Sequence, residues 1–342
     1  MNAPARLAFL ADFERLLTEA PFVDSYKFAL LIALAELAVE RGDDSMATLT
    51  LPIRDIAAQF VTIYWRQAMP FGNTIGDGAS SVLMQNPGRK AGMIMEVTKL
   101  RAQYSSLHAA RSGPHWQRSL TRISAGLEDL PIKRLQRLRQ GSLPFLYAYD
   151  AGSGTIELLP GVAANLRYFH GLVVRAVQGE WLRFVQSMPA NQRLLGATTD
   201  LSDFLFGSDR SGLERARDRL RMMQADRCFY CESPLRESVD VAHFIPWSRY
   251  RRDLVHNLVA VHPACNAHKG ELLAAGPLRE RWAAWTGLHD TDLADIGAAA
   301  GLIVDRQTAL RVAEWSYAQA RRVGADVWLG GRQYGTLQDA EP

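Results

Sequence analysis

The sequence predicts a mainly α-helical protein with a small strand–strand–helix module near its C-terminal end, and therefore an α+β fold overall. Apolar residues recur at helical spacing through most of the chain. Short β-prone runs, all three cysteines and several histidines are instead concentrated between residues 227 and 275. At 342 residues, with 48% hydrophobic and 22% charged residues, the chain has a globular composition and enough length for more than one domain.

Residues 1–207 are predicted to form a mainly helical N-terminal domain that binds DNA or a partner. Residues 141–160 interrupt the helical pattern, because two β-prone runs flank a Gly- and Asp-containing turn and so predict a hairpin. A stretch rich in Gly, Asn, Ser and Pro at 70–88 is predicted to be a loop. The predicted helices of this region cover residues 26–38, 55–69, 89–110, 115–128 and 162–187.

Two further regions flank the cysteine-containing module. Residues 208–226 are predicted to form a linker helix, because Ser211 and Glu214 match a capping box at its start. Residues 276–342 show helical periodicity around Trp282 and Trp315, and we expect this C-terminal helical region to pack on the N-terminal domain.

The sequence also bears on localisation and redox chemistry. No apolar run approaches the roughly 20 residues that cross a bilayer, and acidic residues occur too early in the N-terminal segment for a secretory signal. We therefore expect a cytoplasmic protein that does not associate with a membrane. Three clustered cysteines favour metal ligation over a disulfide framework.

The net charge of +3 conceals an uneven distribution along the chain. Residues 1–88 hold 6 basic and 10 acidic residues, whereas residues 89–140 hold 11 basic and 3 acidic residues. Phosphates of nucleic acid are natural partners for such a surface, and an ordinary solvated surface is the alternative. We predict that Arg134, Arg137 and Arg139 contact phosphates. The other basic residues of the segment are Arg89, Lys90, Lys99, Arg101, Arg111, Arg118, Arg122 and Lys133.

Two pairs of metal-binding residues lie near residues 230 and 263. Cys228 and Cys231 form a CxxC pair, and His262 and Cys265 form an HxxC pair. Four such ligands close a tetrahedral site around Zn²⁺ that has no open position, so the ion would hold the fold and perform no chemistry. Buried free thiols are the alternative interpretation.

Between these pairs the sequence predicts a strand from Val239, a basic loop, a second strand from Asn257, and a helix that begins at Pro263. With the words HFIPWSRY, HNLV and CNAHK, this segment resembles the HNH, or ββα-metal, nuclease family, and in particular bacterial members with a zinc-stapled module. His243 matches the first His of the motif, Asn257 the middle Asn, and Asn266 with Lys269 the helix signature CNxxK. The resemblance covers about 50 residues.

The resemblance implies a role for each of these residues in hydrolysis of a phosphodiester in DNA, with double-stranded DNA favoured. His243 would be the general base, since an imidazole can accept a proton from water near neutral pH. Asn257 would tie the loop so that His243 points at the water. Asn266 would supply an oxygen to a divalent ion, Mg²⁺ or Mn²⁺, at the scissile phosphate.

The remaining polar residues of the module have alternatives that the sequence leaves open. His268 and Lys269 are expected at a helix start, where either could contact a phosphate. His256 is expected to be solvated. Two interpretations are open for Arg249, Arg251 and Arg252: they bind backbone phosphate, or they belong to a solvated loop.

Ala242 departs from the family pattern, which places Asp, a metal ligand, directly before the first His. A methyl group cannot coordinate a hard cation, so affinity for Mg²⁺ should fall sharply. Asp240 shares the strand face but lies roughly 6.6 Å along it, and we do not expect it to substitute. Because the rest of the motif is intact, we predict that Ala242 is an engineered inactivating substitution. A natural alanine here would indicate a degenerate nuclease.

The sequence is therefore compatible with two functions. The first is an endonuclease in bacterial anti-phage defence, acting with a protein partner, a role that rests on family analogy alone. The second is a zinc-stapled module that binds nucleic acid without cleaving it.

Overall fold

The computed structural model describes residues 3–71, 82–86, 92–195, 200–236 and 238–337. Its contacts divide the chain into two compact units. The first unit comprises 1–105 and 110–206, and the second comprises 106–109 and 207–342. The described chain is mainly helical with small sheets, which confirms the predicted fold class. Arg89, Lys90 and most of the predicted loop 70–88 lie outside the described residues.

The first unit is built around one helix that is buried along almost its whole length. This helix, α2, is mostly apolar, as expected of a helix enclosed by others, and Lys27 and Glu36 are its buried charged residues. The helices of this unit are α1 (Ala3–Glu19), α2 (Tyr26–Arg41), α3 (Ile53–Gln67), α4 (Gly92–Gln103), α5 (Leu107–Ser112), α6 (Trp116–Leu127), α7 (Val162–Tyr168), α8 (His170–Ser187), α9 (Gln192–Leu195) and α10 (Leu201–Phe206). The first turn of α5 is assigned to the second unit.

A three-stranded antiparallel sheet completes the first unit. Its strands are β1 (Leu49–Pro52), β2 (Tyr147–Tyr149) and β3 (Thr155–Leu158), in the order β1-β3-β2. The pairing of β2 with β3 confirms the predicted hairpin. The single helix predicted over 162–187 is wrong, because Phe169 leaves the helical conformation (φ −100°, ψ 15°) and separates α7 from α8.

The second unit begins with α11 (Arg210–Met223). The capping residue of this helix is Asp209 and not Ser211 as predicted, since the Asp209 carboxylate accepts a hydrogen bond from the Gly212 amide at 3.1 Å. The elements that follow are β4 (Asp240–His243), β5 (Leu258–Val261), α12 (Pro263–Lys269), β6 (Leu273–Ala274), α13 (Gly276–Leu288), α14 (Asp290–Ala300), α15 (Arg306–Arg322), β7 (Asp326–Gly330) and β8 (Gln333–Thr336).

The C-terminal residues share a core with the module between 227 and 275. The ring of Trp282 on α13 stacks on Phe244, with centroids 4.8 Å apart, and Trp328 on β7 packs edge-on against Tyr230 at 4.9 Å. β6 pairs in parallel with β7, which in turn forms a hairpin with β8. The sequence predicted a helical region beyond residue 276, but the structure shows that this region also contains the β7–β8 hairpin. Its packing on the N-terminal domain stays a prediction.

Within the described ranges, no helix combines the length and apolar character that a membrane crossing requires.

Candidate active site and metal centre

The module is a two-stranded sheet covered by a short helix. β4 and β5 pair antiparallel, with Ala242 opposite Val259 and His243 opposite Leu258. All four residues of β5 are buried, so this strand forms the floor of the module. Pro263 then starts α12, as predicted, because its ring suits the first helical position and its missing N–H costs nothing there.

The four predicted zinc ligands converge at one end of this scaffold. The ligand atoms of Cys228, Cys231, His262 and Cys265 all lie within 4.8 Å of one another. His262 Nδ1 lies 3.3 Å from Cys231 Sγ, and its Nε2 donates to the carbonyl of Pro234 at 3.1 Å. That second bond fixes the tautomer and leaves Nδ1 free to ligate, as in many zinc sites. Tetrahedral Zn²⁺ with bonds of about 2.3 Å needs ligands about 4 Å apart, so this group fits the ion.

The thiols of this cluster influence one another's ionisation. Burial, reinforced by Cys228 and Cys231, raises the pKa of the Cys265 thiol to about 12. Burial also opposes ionisation of Cys231, but hydrogen bonds with Ser233, Cys228 and His262 outweigh it and lower the pKa of Cys231 to about 7. Joint ionisation of the thiols is thus unfavourable without a cation, and a divalent metal would remove that cost. No second group of three or more His, Cys, Asp or Glu side chains converges in this way within the described ranges.

The predicted general base, His243, ends strand β4 and is only 11% exposed. Its Nε2 lies 2.8 Å from Oδ1 of Asp253. On another side its ring centroid is 5.2 Å from that of Trp247. The main chain is also held, because the buried Lys269 ammonium donates to the His243 carbonyl at 3.3 Å. The imidazole is therefore fixed by several neighbours.

Asn257 joins the two ends of the loop that follows His243. Its Oδ1 accepts from the Ile245 amide at 2.7 Å and its Nδ2 donates to the Ile245 carbonyl at 2.9 Å. Asn257 is 4% exposed, so both bonds are shielded from water. This geometry closes the loop beside His243.

Asn266, on α12, faces the strand residues that precede His243. Its Nδ2 donates to Oδ2 of Asp240 at 2.9 Å. Ala242 lies on the same strand face and is 3% exposed. Asp240 therefore contacts the expected ion ligand Asn266, although its distance from position 242 along the strand made it an unlikely substitute for the missing carboxylate.

His268 and Lys269 lie in the last turn of α12, so their expected location at a helix start is wrong. Lys269 is 2% exposed, and burial lowers its pKa to about 7. A direct phosphate contact through a buried ammonium is disfavoured, and its bond to the His243 carbonyl gives this lysine a structural role instead. His268 is partly exposed.

The basic loop before β5 is more enclosed than a solvated loop would be. Arg252 is 7% exposed, and Arg249 is half-buried with a pKa lowered by burial. Arg251 is also partly exposed. The expectation that His256 is solvated is wrong: it is 1% exposed and its Nε2 lies 2.9 Å from Oδ1 of Asp290.

Asp253 is the site residue that sequence reasoning missed. An isolated acid in a basic loop gave no periodic or motif signal, and its contact with His243 spans ten residues of irregular chain. The only available cue was its charge among arginines.

The basic segment 89–140 contributes two groups of cations to the first unit. Arg134, Arg137 and Arg139 are exposed. The pKa of Lys27 is lowered to about 8, mainly by burial, and Arg134 and Arg137 contribute to this shift, so they lie near it. A separate cavity of about 240 Å³ is lined by residues that include Glu96, Lys99, His115, Arg118 and Arg122.

The module combines a two-stranded antiparallel sheet, a short helix and a Cys₃His cluster, the arrangement that the resemblance to zinc-stapled ββα-metal nucleases predicted. Residues 228–275 match the model of an HNH endonuclease family, and the chain therefore carries an HNH endonuclease module. The matched segment contains the metal cluster and all three motif residues, His243, Asn257 and Asn266. No curated protein and no solved structure matched the chain.

Proposed function

We propose that this protein is a divalent-metal-dependent endonuclease that hydrolyses phosphodiester bonds in DNA, double-stranded DNA in particular. The observation that carries the proposal is the position of His243. It lies inside the matched HNH segment, on the first strand of the ββα module, with its imidazole held by Asp253. A fixed, partly shielded imidazole is suited to accept a proton from an attacking water.

In the proposed reaction, His243 takes one proton from a water molecule as the water oxygen bonds to phosphorus. The bond from phosphorus to the 3′-oxygen breaks, and that oxygen leaves with the bonding pair and is protonated from solvent. Asn257 contributes by closing the loop beside His243 through its two bonds to Ile245. Mg²⁺ or Mn²⁺, when bound, would stabilise the charge on the phosphate and on the leaving oxygen.

Asn266 is the proposed protein ligand of this ion, through its side-chain oxygen. Because Nδ2 of Asn266 donates to Asp240, Oδ1 of Asn266 is the atom that would bind the ion. Ala242 supplies no metal ligand, and we propose that it inactivates this chain as an engineered substitution. If alanine is natural at this position, the module is a degenerate nuclease.

Several cations are proposed to contact the DNA backbone. His268, Arg249 and Arg251 are at least partly exposed near the module, whereas the burial of Arg252 and Lys269 makes them the weakest members of the predicted set. In the first unit, we propose that Arg134, Arg137 and Arg139 of the segment 89–140 also contact the DNA backbone. Such contacts would hold DNA without reading its sequence.

The alternative function is a module that binds nucleic acid without cutting it, and Ala242 is the observation that favours it. The biological setting is also proposed and not shown: a cytoplasmic enzyme of bacterial anti-phage defence that acts with a protein partner, by analogy with related modules.

Nicking of supercoiled plasmid tests these proposals. We expect Ala242→Asp to nick in Mg²⁺ or Mn²⁺ but not in EDTA, and to be faster than the unaltered chain. Adding His243→Ala should reduce the rate by about 10²- to 10⁴-fold, the usual contribution of a general base. Ser248→Ala is the matched control, since Ser248 is exposed in the same loop and is none of the three residues with a proposed catalytic role, His243, Asn257 and Asn266.

Three outcomes separate the interpretations. Nicking by Ala242→Asp alone supports both the endonuclease and its inactivation. Equal nicking by the unaltered chain supports the endonuclease but contradicts inactivation. Tight DNA binding with no nicking by either protein would favour the binding module.

A further inference from the structure

Asp253 connects His243 to the start of α11. Its Oδ1 lies 2.8 Å from His243 Nε2 and accepts from the Ser208 hydroxyl at 2.7 Å, and its Oδ2 accepts from the Asp209 amide at 2.7 Å. The side chains of His243 and Asp253 are 11% and 12% exposed. Three short bonds in a shielded place fix the position of this carboxylate.

The main chain of Asp253 is anchored independently of His243. Its carbonyl accepts from the Ile303 amide at 3.0 Å, and the neighbouring Leu254 forms an isolated bridge with Ile303. The Val255 amide donates to the Ile303 carbonyl at 2.9 Å. These main-chain bonds fix the position of Asp253 independently of His243. The carboxylate can therefore orient the imidazole ring.

A carboxylate only accepts hydrogen bonds, so the proton between the two side chains belongs to His243 Nε2. The lone pair of the neutral ring is then on Nδ1. Among the described residues, no hydrogen bond reaches Nδ1 of His243. This is the atom that could accept a proton from water.

We propose that Asp253 is a positioning residue for the nuclease reaction, which holds His243 in the Nε2–H tautomer and directs Nδ1 to the attacking water. The proposal rests on the proposed function, in which His243 is the general base. It differs from the motif roles, because Asp253 belongs to none of the motif positions. Ser208 and Asp209 support it by donating hydrogen bonds to the Asp253 carboxylate.

Proton NMR of the zinc-loaded full chain tests this positioning without requiring activity. A proton shared with a carboxylate exchanges slowly and resonates downfield, so His243 Nε2–H should give a signal that His243→Gln removes. Asp253→Ala should abolish the signal. Asp253→Asn keeps one acceptor oxygen and should leave a weaker, shifted signal, which keeps the test valid if the alanine variant folds poorly.

Asp292→Ala is the matched control for this measurement. Asp292 forms a similar pair with His289, at 3.3 Å in the same unit, but at an exposed place outside the module. Its removal should leave the His243 signal unchanged. Zinc content and circular dichroism would establish that each variant is folded.

Cleavage provides the second measurement, in the Ala242→Asp background. Because Asp253 would touch the base and not the DNA, Asp253→Ala should lower kcat by about 10- to 100-fold, part of the general-base contribution, and leave Kd for DNA within about twofold. A His243 signal that persists in Asp253→Ala, or an unchanged kcat in an active enzyme, would overturn the positioning role. If every variant fails to nick while the signal still depends on Asp253, the positioning stands and the proposed function fails.

Discussion

Loss of one zinc ligand should destabilise the second unit, and Cys228→Ser is the most informative change. Cys228 is 1% exposed, and the His262 amide donates to its Sγ at 3.4 Å, so a serine hydroxyl would leave both the metal and this amide poorly matched. Phe229 and Tyr230, which follow Cys228, are buried and pack on Phe244. A change in the geometry of the metal cluster would therefore also disturb the packing of Phe229 and Tyr230 on Phe244.

The magnitude is estimated by dividing the free energy of zinc binding evenly among the four ligands. Structural zinc sites contribute about 10–16 kcal/mol in total, so one ligand accounts for roughly 2.5–4 kcal/mol. Zinc affinity should then fall by about 10²- to 10³-fold. Against a typical stability of about 5–15 kcal/mol, that loss should lower the unfolding midpoint by roughly 10 °C.

Elemental analysis, competition with a chelator and thermal unfolding measure the two effects. Arg236→Ala, an exposed change close in sequence to the cluster, is the control and should bind zinc normally. The reasoning is refuted if the carefully purified unaltered chain holds well under one zinc per chain. It is equally refuted if Cys228→Ser retains both its zinc and its unfolding midpoint.

Two further predictions concern charge. Replacing three exposed arginines should reduce the slope of log K for DNA against log salt by about 2 to 3 units, and similarly on unrelated sequences. An unchanged slope would exclude phosphate contacts for these three arginines. The comparison variant instead carries alanine at three basic residues that line the cavity of the first unit. The variants are Arg134→Ala, Arg137→Ala and Arg139→Ala, compared with Lys99→Ala, Arg118→Ala and Arg122→Ala. For Lys269, burial lowers the folded-state pKa to about 7 from 10.5. The unfolded state therefore binds more protons between these values, and stability should rise with pH there by at most about 1.4 kcal/mol per unit. Denaturant titrations of zinc-saturated protein at pH 7 and 9 should show a rise that Lys269→Met reduces, and equal rises would contradict this interpretation.

Local signals made several elements predictable. The hairpin of β2 and β3 required a turn with left-handed residues, and Gly152 and Gly154 adopt φ of 86° and 69° there. The metal cluster was predictable because each pair has a two-residue spacing that a short turn can close. Pro263 marked the start of α12 for an equally local reason.

Distant contacts explain what the sequence could not predict. The sequence around His256 resembles a solvated loop, yet His256 is buried. Trp282 donates to its carbonyl and Asp290 contacts its imidazole, and these partners lie 26 and 34 residues later in the chain. Asp253 meets His243 only because the irregular loop folds back between them. β6 pairs in parallel with β7, which lies much later in the chain, and no helical or strand periodicity encodes that pairing.

The pairing of β6 with β7 has a practical consequence for engineering. The family match ends at residue 275, but Ala275 donates its amide to the Trp328 carbonyl at 2.9 Å, and both rings that cover Tyr230 and Phe244 come from beyond that boundary. A cassette cut to residues 228–275 would expose an open sheet edge and two aromatic faces, the usual features of an aggregating fragment. Moving this module into another protein therefore requires the whole stretch through β8.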